Sequence, residues 1–445
     1  MDKTRLCAAV VCAGAVVLVI YYRRRRRQTY SFDSLALDRR GYHTVKHVIG
    51  SCMSDRPGAL NLWVADMDLP ICEALHEAIL QRARHPTFGY TIQPTVIWER
   101  AAHWLVEKQG WAHTPQPSAF VFSASLVSSF CNVLRALTDP GDGVVVMVPS
   151  YAPMQDVVKG SGRRLLLHSL RRQGCTYDMA LDALQGLLDA EKPKVVLLIN
   201  PHNPAGRVWS QPELAALAAV CACRGILVVS DEIWADWVFA RGTFTPFATV
   251  AAAPLKALKD QPACKHITLN APTKTFNLAG LHASYLIIED PTLREQYLQH
   301  VAPGFFHYGS TFATVALLAA YEQGDEWVSQ VRAHVSANLD FLAGALAASD
   351  LGVTALPVQA TFLAWLDCAA LVKRYRLEAP GALHKFFADD AGLVLSAGSE
   401  FDPTGQSDTF MRMNVACPRA VIVEAVERLR VAVARIDGHG AGVSR

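Results

Sequence analysis

The stretch KVVLLINPHNPAG (194–206), followed by ELAALAAVCACR (213–224) and ILVVSDEI (226–233), decides the fold. Two short runs of branched apolar residues flank a segment of small and long aliphatic residues that is long enough for several helical turns, with Gly and Pro at the joints. This order of strand, loop, helix and strand predicts parallel pairing, because a helical crossover is what parallel neighbours require. Working outward, AFVF (119–122), SLVSSFCNVLRALTD (125–139) and GVVVMV (143–148) precede it, and the strand HITLN (266–270) follows it. From about Ser118 to Glu289 the alternation predicts an α/β sheet of mostly parallel strands. Ligands bind such sheets at the carboxyl ends of the strands, and here those ends carry the polar loops.

Beyond about Ser310 the pattern changes to long amphipathic segments such as EWVSQVRAHVSANLDFLAGAL (326–346), then TFLAWLD (361–367) and a last stretch around RMNVACPR (412–419). A second, smaller α+β domain is expected there. The resulting division is an N-terminal anchor and basic flank (1–27), a segment joining the small domain (28–85), a large domain (86–305), a small domain (306–437) and a tail (438–445). Residues 28–85 carry few regular runs.

At 445 residues, with 51% hydrophobic and 18% charged residues, the chain can bury a large core. Its net charge of +2 owes its sign to one run, Arg23 to Arg27, so no nucleic-acid partner is expected. The 11 cysteines are scattered without the spacing of a disulfide or zinc framework, and no metal site is expected. The uncharged run Leu6 to Tyr22 would reach roughly 26 Å as a helix, near the ~30 Å of a bilayer core. The arginines that follow place the bulk of the chain in the cytosol, tethered by an N-terminal membrane helix. The alternatives are a cleaved signal peptide and a mitochondrial presequence, giving a soluble cytoplasmic or organellar protein after processing.

Three residues at predicted strand ends have the types that bound pyridoxal 5′-phosphate (PLP) requires. Lys274, in APTKTFNLAG (271–280), offers an amine for a Schiff base, and Asp231, in SDEI, a carboxylate for the pyridine nitrogen. Asn203, in NPHNPAG, offers a donor to the ring oxygen. Ser125 and Leu126 open a predicted helix whose free N–H groups suit a phosphate. Tyr151, in VPSY, is a candidate stacking ring.

With these residues in place the chain resembles fold type I PLP enzymes of aminotransferase class I and II, in particular the cystathionine β-lyase branch of the MalY and PatB type. The resemblance is carried by WVADMDLP (63–70), HPTFGYT (85–91), NPHNPAGRVW (200–209), SDEI (230–233), KTFNLAG (274–280) and RMNVACPR (412–419). It implies an α/β large PLP-binding domain with a smaller α+β domain, and the roles just given for Lys274, Asp231, Asn203 and Tyr151. It further implies that Arg412 grips the substrate α-carboxylate, and that Tyr90 reaches the phosphate of a second subunit in a homodimer. The chain departs from the family pattern at Ala271, where a Ser is frequent, at Ser123-Ala124 in the phosphate turn, and at Trp234, where Tyr or His is usual. Thr273 and His282 are candidates to replace the lost phosphate donors; His307 and Tyr308 are weaker site candidates.

The implied activity is PLP-dependent β-elimination from L-cystathionine or a related cysteine S-conjugate, through a Lys274 aldimine and a quinonoid, to a thiol, pyruvate and ammonia. A PLP-dependent aminotransferase is the second reading. The third, from another class, is a membrane-tethered PLP-binding regulatory protein with weak activity.

Overall fold

The computed structural model describes residues 29–34, 37–252, 263–304 and 309–440. The chain divides at Ser31, and the unit that begins at Phe32 is the one described below. The expected anchor and its arginines, His307 and Tyr308, and residues 441–445 lie outside the described residues. Among the described residues no helix is long and apolar enough to cross a membrane.

Helices α1 (Glu73–Arg84) and α2 (Thr95–Gln109) precede a seven-stranded sheet. Its strands are β1 (Phe120–Ser123), β2 (Gly143–Val148), β3 (Arg164–Ser169), β4 (Val195–Ile199), β5 (Leu227–Asp231), β6 (His266–Asn270) and β7 (Ser284–Ile287), in the order β1-β7-β6-β5-β4-β2-β3. Strand β7 runs antiparallel to both neighbours, and every other pairing is parallel. Helices α3 (Leu126–Leu137), α4 (Ala152–Gly160) and α5 (Gln211–Ala222) follow β1, β2 and β4.

Every residue of β2, β4 and β5 is buried, which explains their unbroken apolar sequence: a parallel sheet is covered on both faces. Side chains alternate between the faces with period two. Val145, Val196, Leu198 and Val228 pack with Leu214, Leu217 and Cys221 of α5. Their neighbours Val144, Val195, Leu197 and Val229 pack with Phe130, Val133 and Leu134 of α3. Each such burial contributes about 2 kcal/mol. Helix α5 starts at a capping box in which Ser210 Oγ accepts from Glu213 N (3.4 Å) and Glu213 Oε2 accepts from Ser210 N (2.7 Å).

The smaller sheet is antiparallel throughout, with β8 (Thr354–Ala355), β9 (Leu363–Asp367), β10 (Ser396–Ala397) and β11 (Phe410–Asn414) in the order β8-β9-β11-β10. The long helices α6 (Asp325–Ala347) and α7 (Arg419–Gly440) flank it in sequence. Leu60–Asn61 pairs in parallel with Leu393–Val394, so the chain is tied to the C-terminal part just before WVADMDLP begins. The region 28–85 holds more regular structure than its sequence suggests. Helix α1 strictly buries Ala74 and Leu75.

The two sheets share one core. Trp365 of β9, fully buried, joins the apolar cluster of the large sheet together with Phe401 and Phe410. Its ring stacks on Phe410 at 4.9 Å and 13°, meets Phe401 edge-on at 5.8 Å, and its Nε1 donates to Tyr177 Oη at 3.2 Å. Trp365→Ala is therefore expected to lower stability by about 3–5 kcal/mol, read as a lower urea midpoint, with Trp365→Phe retaining part of the loss.

Candidate active site

The ends of the parallel strands deliver the predicted residues to one place. Asp231 is the last residue of β5, Asn203 lies in the loop after β4, Tyr151 follows β2, and Lys274 sits in the turn after β6. With Arg412 of β11 and the start of α3 they line a cavity of about 480 Å³.

Lys274 Nζ donates one hydrogen bond, to the backbone oxygen of Ala65 at 2.7 Å. Burial pulls its pKa down to about 8, opposed by the Asp66 carboxylate, helped by Arg412 and opposed again by Asp231. Asp231 is 4% exposed and accepts one bond, from Ile233 N at 3.1 Å. Burial pushes its carboxyl up to about 7, against that backbone N–H and Lys274. Its other oxygen accepts nothing from the described residues, so a cationic N–H donor arriving there would restore the ionised form.

Arg412 is 5% exposed and is held between the loop after β4, the segment at Trp63 and strand β10. Nη1 donates to Asn203 Oδ1 (3.2 Å) and Nη2 to Trp63 O (2.8 Å) and Ser396 Oγ (3.2 Å), while Nε is buried without a partner. Burial lowers its pKa to about 10, which leaves it charged at neutral pH. A buried guanidinium that lines the cavity and keeps one N–H unpaired is suited to a carboxylate. Because Arg412 occupies Asn203 Oδ1, the Asn203 amide nitrogen is left as the free donor.

The phosphate turn holds together without glycine. Ser125 Oγ accepts from Ser128 N at 3.1 Å and Ser125 N donates to Ser128 Oγ at 3.2 Å. The first N–H groups of α3, on Leu126 and Val127, have no intrahelical acceptor and face the cavity that these residues line. Thr273 and His282 line it too, and Ala271 is buried, its N–H bonded to Asn270 Oδ1 at 2.7 Å. Tyr151 lines the wall. Tyr90 does not: it is fully solvent-exposed in the single chain and lies outside the cavity lining. Trp234 is buried beside the lysine, with Nζ 5.9 Å from its ring centroid and Phe362 packed edge-on against it at 4.8 Å.

The turn that carries Lys274 is bolted from behind. Trp237 Nε1 donates to Lys274 O at 2.8 Å, and Thr275 Oγ1 donates to Asp236 Oδ2 at 2.7 Å. Asp236 also accepts from Trp104 Nε1 and Gln109 Nε2, both at 2.9 Å, so a buried carboxylate is satisfied by three donors.

Sequence reasoning gave no site role to residues 63–69, which form a strap along the cavity. Asn414 Nδ2 donates to Val64 O (2.8 Å), and Asn277 accepts from Met67 N and donates to Met67 O, both at 3.0 Å. Asp68 pairs with Lys46 (2.6 Å) and Arg39 (2.7 Å), and Arg39 also pairs with Asp66 (2.8 Å). Lys46 is completely buried. The signal was present in WVADMDLP itself, where two carboxylates sit in an apolar run and need buried cations.

A lysine, a carboxylate and an amide at successive strand ends, with an arginine opposite, define a PLP-type site on an α/β fold. The chain belongs to the aminotransferase class I and II family, whose profile matches residues 58–429. It is similar to cystathionine beta-lyase PatB of Bacillus subtilis, at 32% identity over 375 residues, which is 84% of this chain and 92% of that protein. It is also similar to protein MalY of Escherichia coli, at 28% identity over 85% of this chain and 93% of that one. Among solved structures, the PLP-bound C-S lyase of Staphylococcus hominis superposes with a TM-score of 0.81 at 27% identity, covering 91% of this chain and 99% of that one.

The raised Asp231 pKa has a measurable consequence in the cofactor-free protein. Unfolded, this carboxyl ionises near 3.8; folded, near 7. Between these values the folded state binds the extra proton, so the Asp231 contribution makes stability fall as pH rises from about 4 to about 7. Asp231→Asn is expected to flatten that part of the profile, measured as thermal midpoint against pH. Glu232, also buried and pushed up to about 8, slopes the same way; the Asp231 charge is the smallest of its causes, so most of the Glu232 contribution is common to both proteins.

Proposed function

We propose that this chain is a PLP-dependent carbon–sulfur β-lyase that cleaves L-cystathionine or related cysteine S-conjugates to a thiol, pyruvate and ammonia. One observation carries the reading: Lys274, Asp231, Asn203 and Arg412 converge in a cavity where, among the described residues, Arg412 is the only arginine. Among the described residues the single chain thus offers a clamp for one carboxylate, the α-carboxylate that an amino-acid substrate presents. The names of the related lyases favour elimination over transamination.

The residues fit the cofactor. Asp231 would face its pyridine nitrogen, the Asn203 amide its ring oxygen, Tyr151 its face, and Ser125 with the Leu126 and Val127 N–H groups its phosphate. When bound, PLP supplies an electron sink for a carbanion at the substrate Cα. Arg412 holds the α-carboxylate. The Lys274 amine, with a pKa drawn towards neutrality, takes the Cα proton, and a thiolate then leaves from Cβ. Trp63, Val64 and Ala65 wall the cavity against bulk water.

Two further readings rest on the sequence. The exposed Tyr90 reaches the phosphate of a second copy, making a homodimer with shared sites. Leu6 to Tyr22 and the arginines after it tether the enzyme to a membrane with the catalytic unit in the cytosol, which protease protection of a tagged chain tests.

Incubation with L-cystathionine is expected to release thiol and pyruvate in equal amounts; an amino acid with 2-oxoglutarate should give little glutamate. Glutamate without thiol would reject the lyase reading in favour of an aminotransferase, and neither product would favour the regulatory reading. Lys274→Ala is expected to abolish the visible cofactor absorbance and activity together. Arg412→Ala should raise KM by roughly thirtyfold, the loss of about 2 kcal/mol of charge-assisted hydrogen bonding.

A further inference from the structure

Each backbone oxygen from residue 62 to residue 67 is taken by a donor. Leu62 O accepts from Asn414 N (2.8 Å), Trp63 O from Arg412 Nη2 (2.8 Å) and Ser396 Oγ (3.1 Å), and Val64 O from Asp66 N (3.0 Å) and Asn414 Nδ2 (2.8 Å). Asp66 O accepts from Asn414 Nδ2 (2.5 Å) and Lys46 Nζ (3.3 Å), and Met67 O from Asn277 Nδ2 (3.0 Å) and Arg39 Nη1 (3.2 Å). The remaining oxygen, that of Ala65, accepts from Lys274 Nζ at 2.7 Å, its one donor among the described residues.

The Asp66 N to Val64 O bond closes a three-residue turn with Ala65 at its apex. Asn414, the last residue of β11 and 1% exposed, binds the oxygens on both sides of that apex with its single amide nitrogen. Its Oδ1 accepts from Ala416 N at 2.8 Å. Reversing the amide would set its oxygen against two carbonyls and its nitrogen against an N–H, so the partners fix its orientation. Asn414 is not among the residues that line the cavity, and all its side-chain bonds are spent within the fold.

We propose that Asn414 is a positioning residue for the Cα proton transfer: by clasping the turn 64–66 it fixes the Ala65 carbonyl, and that carbonyl holds the free Lys274 amine where it takes the proton. The inference rests on the reading of Lys274 as the base and applies to a lyase and an aminotransferase alike. The step moves one proton from Cα to the Nζ lone pair and leaves the C–H electron pair on the substrate carbon, for which the bound cofactor is the sink. A lysine amine sits on a flexible four-carbon stem. A fixed acceptor for one of its hydrogens limits the directions open to its lone pair, and such orientation is part of what makes a general base effective.

The test follows exchange of the α-proton of L-alanine in heavy water, by NMR, with the full-length holoenzyme. L-Alanine has no leaving group at Cβ, so exchange reports the proton step whether or not the enzyme eliminates. Asn414→Ala is expected to exchange about tenfold more slowly per bound cofactor, roughly what one hydrogen bond contributes. Its cofactor absorbance should be retained, and its L-alanine dissociation constant, read from the absorbance change, should stay within about threefold of the parent's. Asn414→Ser, whose hydroxyl can donate to one of the two carbonyls, should fall between.

A second readout needs no turnover. In the cofactor-free protein the pH midpoint for Schiff-base formation with added PLP should move down by about half a unit in Asn414→Ala, because a carbonyl acceptor favours the ammonium form and its loss the neutral amine. The charged groups acting on that amine, Asp66, Asp231 and Arg412, and the titratable side chains that share its cavity, Tyr151, His282, Asp156 and Glu400, are the same in both proteins. Exchange per cofactor within about twofold of the parent overturns the proposal, as does an unmoved midpoint. Loss of the cofactor absorbance in both variants assigns Asn414 to the fold alone and overturns it too. A parent that exchanges no α-proton removes Lys274 as the base, and the proposal with it. A parent that exchanges but releases no thiol from L-cystathionine sinks only the lyase reading, and the comparison between parent and variant still decides the role of Asn414.

Discussion

Desolvation of one amine and one carboxyl in a shared cavity is the constraint around which this structure is arranged. Lys274 and Asp231 are both driven towards their neutral forms by burial, and neither is given a strong partner by the protein. Other buried charges are better partnered: Asp236 has three donors, and Lys46 sits in direct contact with Asp68. Unsatisfied charge is costly in an apolar interior, and here the cost is concentrated where a cofactor would relieve it.

The surrounding architecture holds the groups of that cavity in place. Strand ends give Asn203, Asp231 and Lys274 a rigid base, since β4, β5 and β6 are neighbours in one buried sheet. The opposite wall comes from the smaller sheet and the strap. Arg412 belongs to both: it reaches across to Asn203 on one side and to Trp63 on the other. A substrate carboxylate at Arg412 would therefore meet a group already held by three elements, with little ordering left to do.

Much of this was legible in sequence because it depends on local chemistry. Buried parallel strands announce themselves as continuous Val and Ile runs, and Gly and Pro mark the loops where Lys274, Asp231 and Asn203 fall. Arg412 and Tyr90 came from the family resemblance, since nothing local distinguishes one arginine in a strand or one exposed tyrosine. The strap was illegible in role, because its function comes from partners such as Asn414 that no periodicity relates to it.

The strap also sets an order of assembly. Its ties to Arg412 and Asn414 span about 350 residues of chain, 349 for Trp63 O and 350 for Val64 O. During synthesis, which proceeds from the N-terminus, WVADMDLP emerges early and must wait for β11, the last strand among the described residues. A chain lacking that strand has the lysine, the aspartate and the asparagine but neither the strap's ties nor Arg412. Closing the site therefore draws on both ends of the chain at once, and a truncation before β11 leaves the wall opposite the strand ends unbuilt.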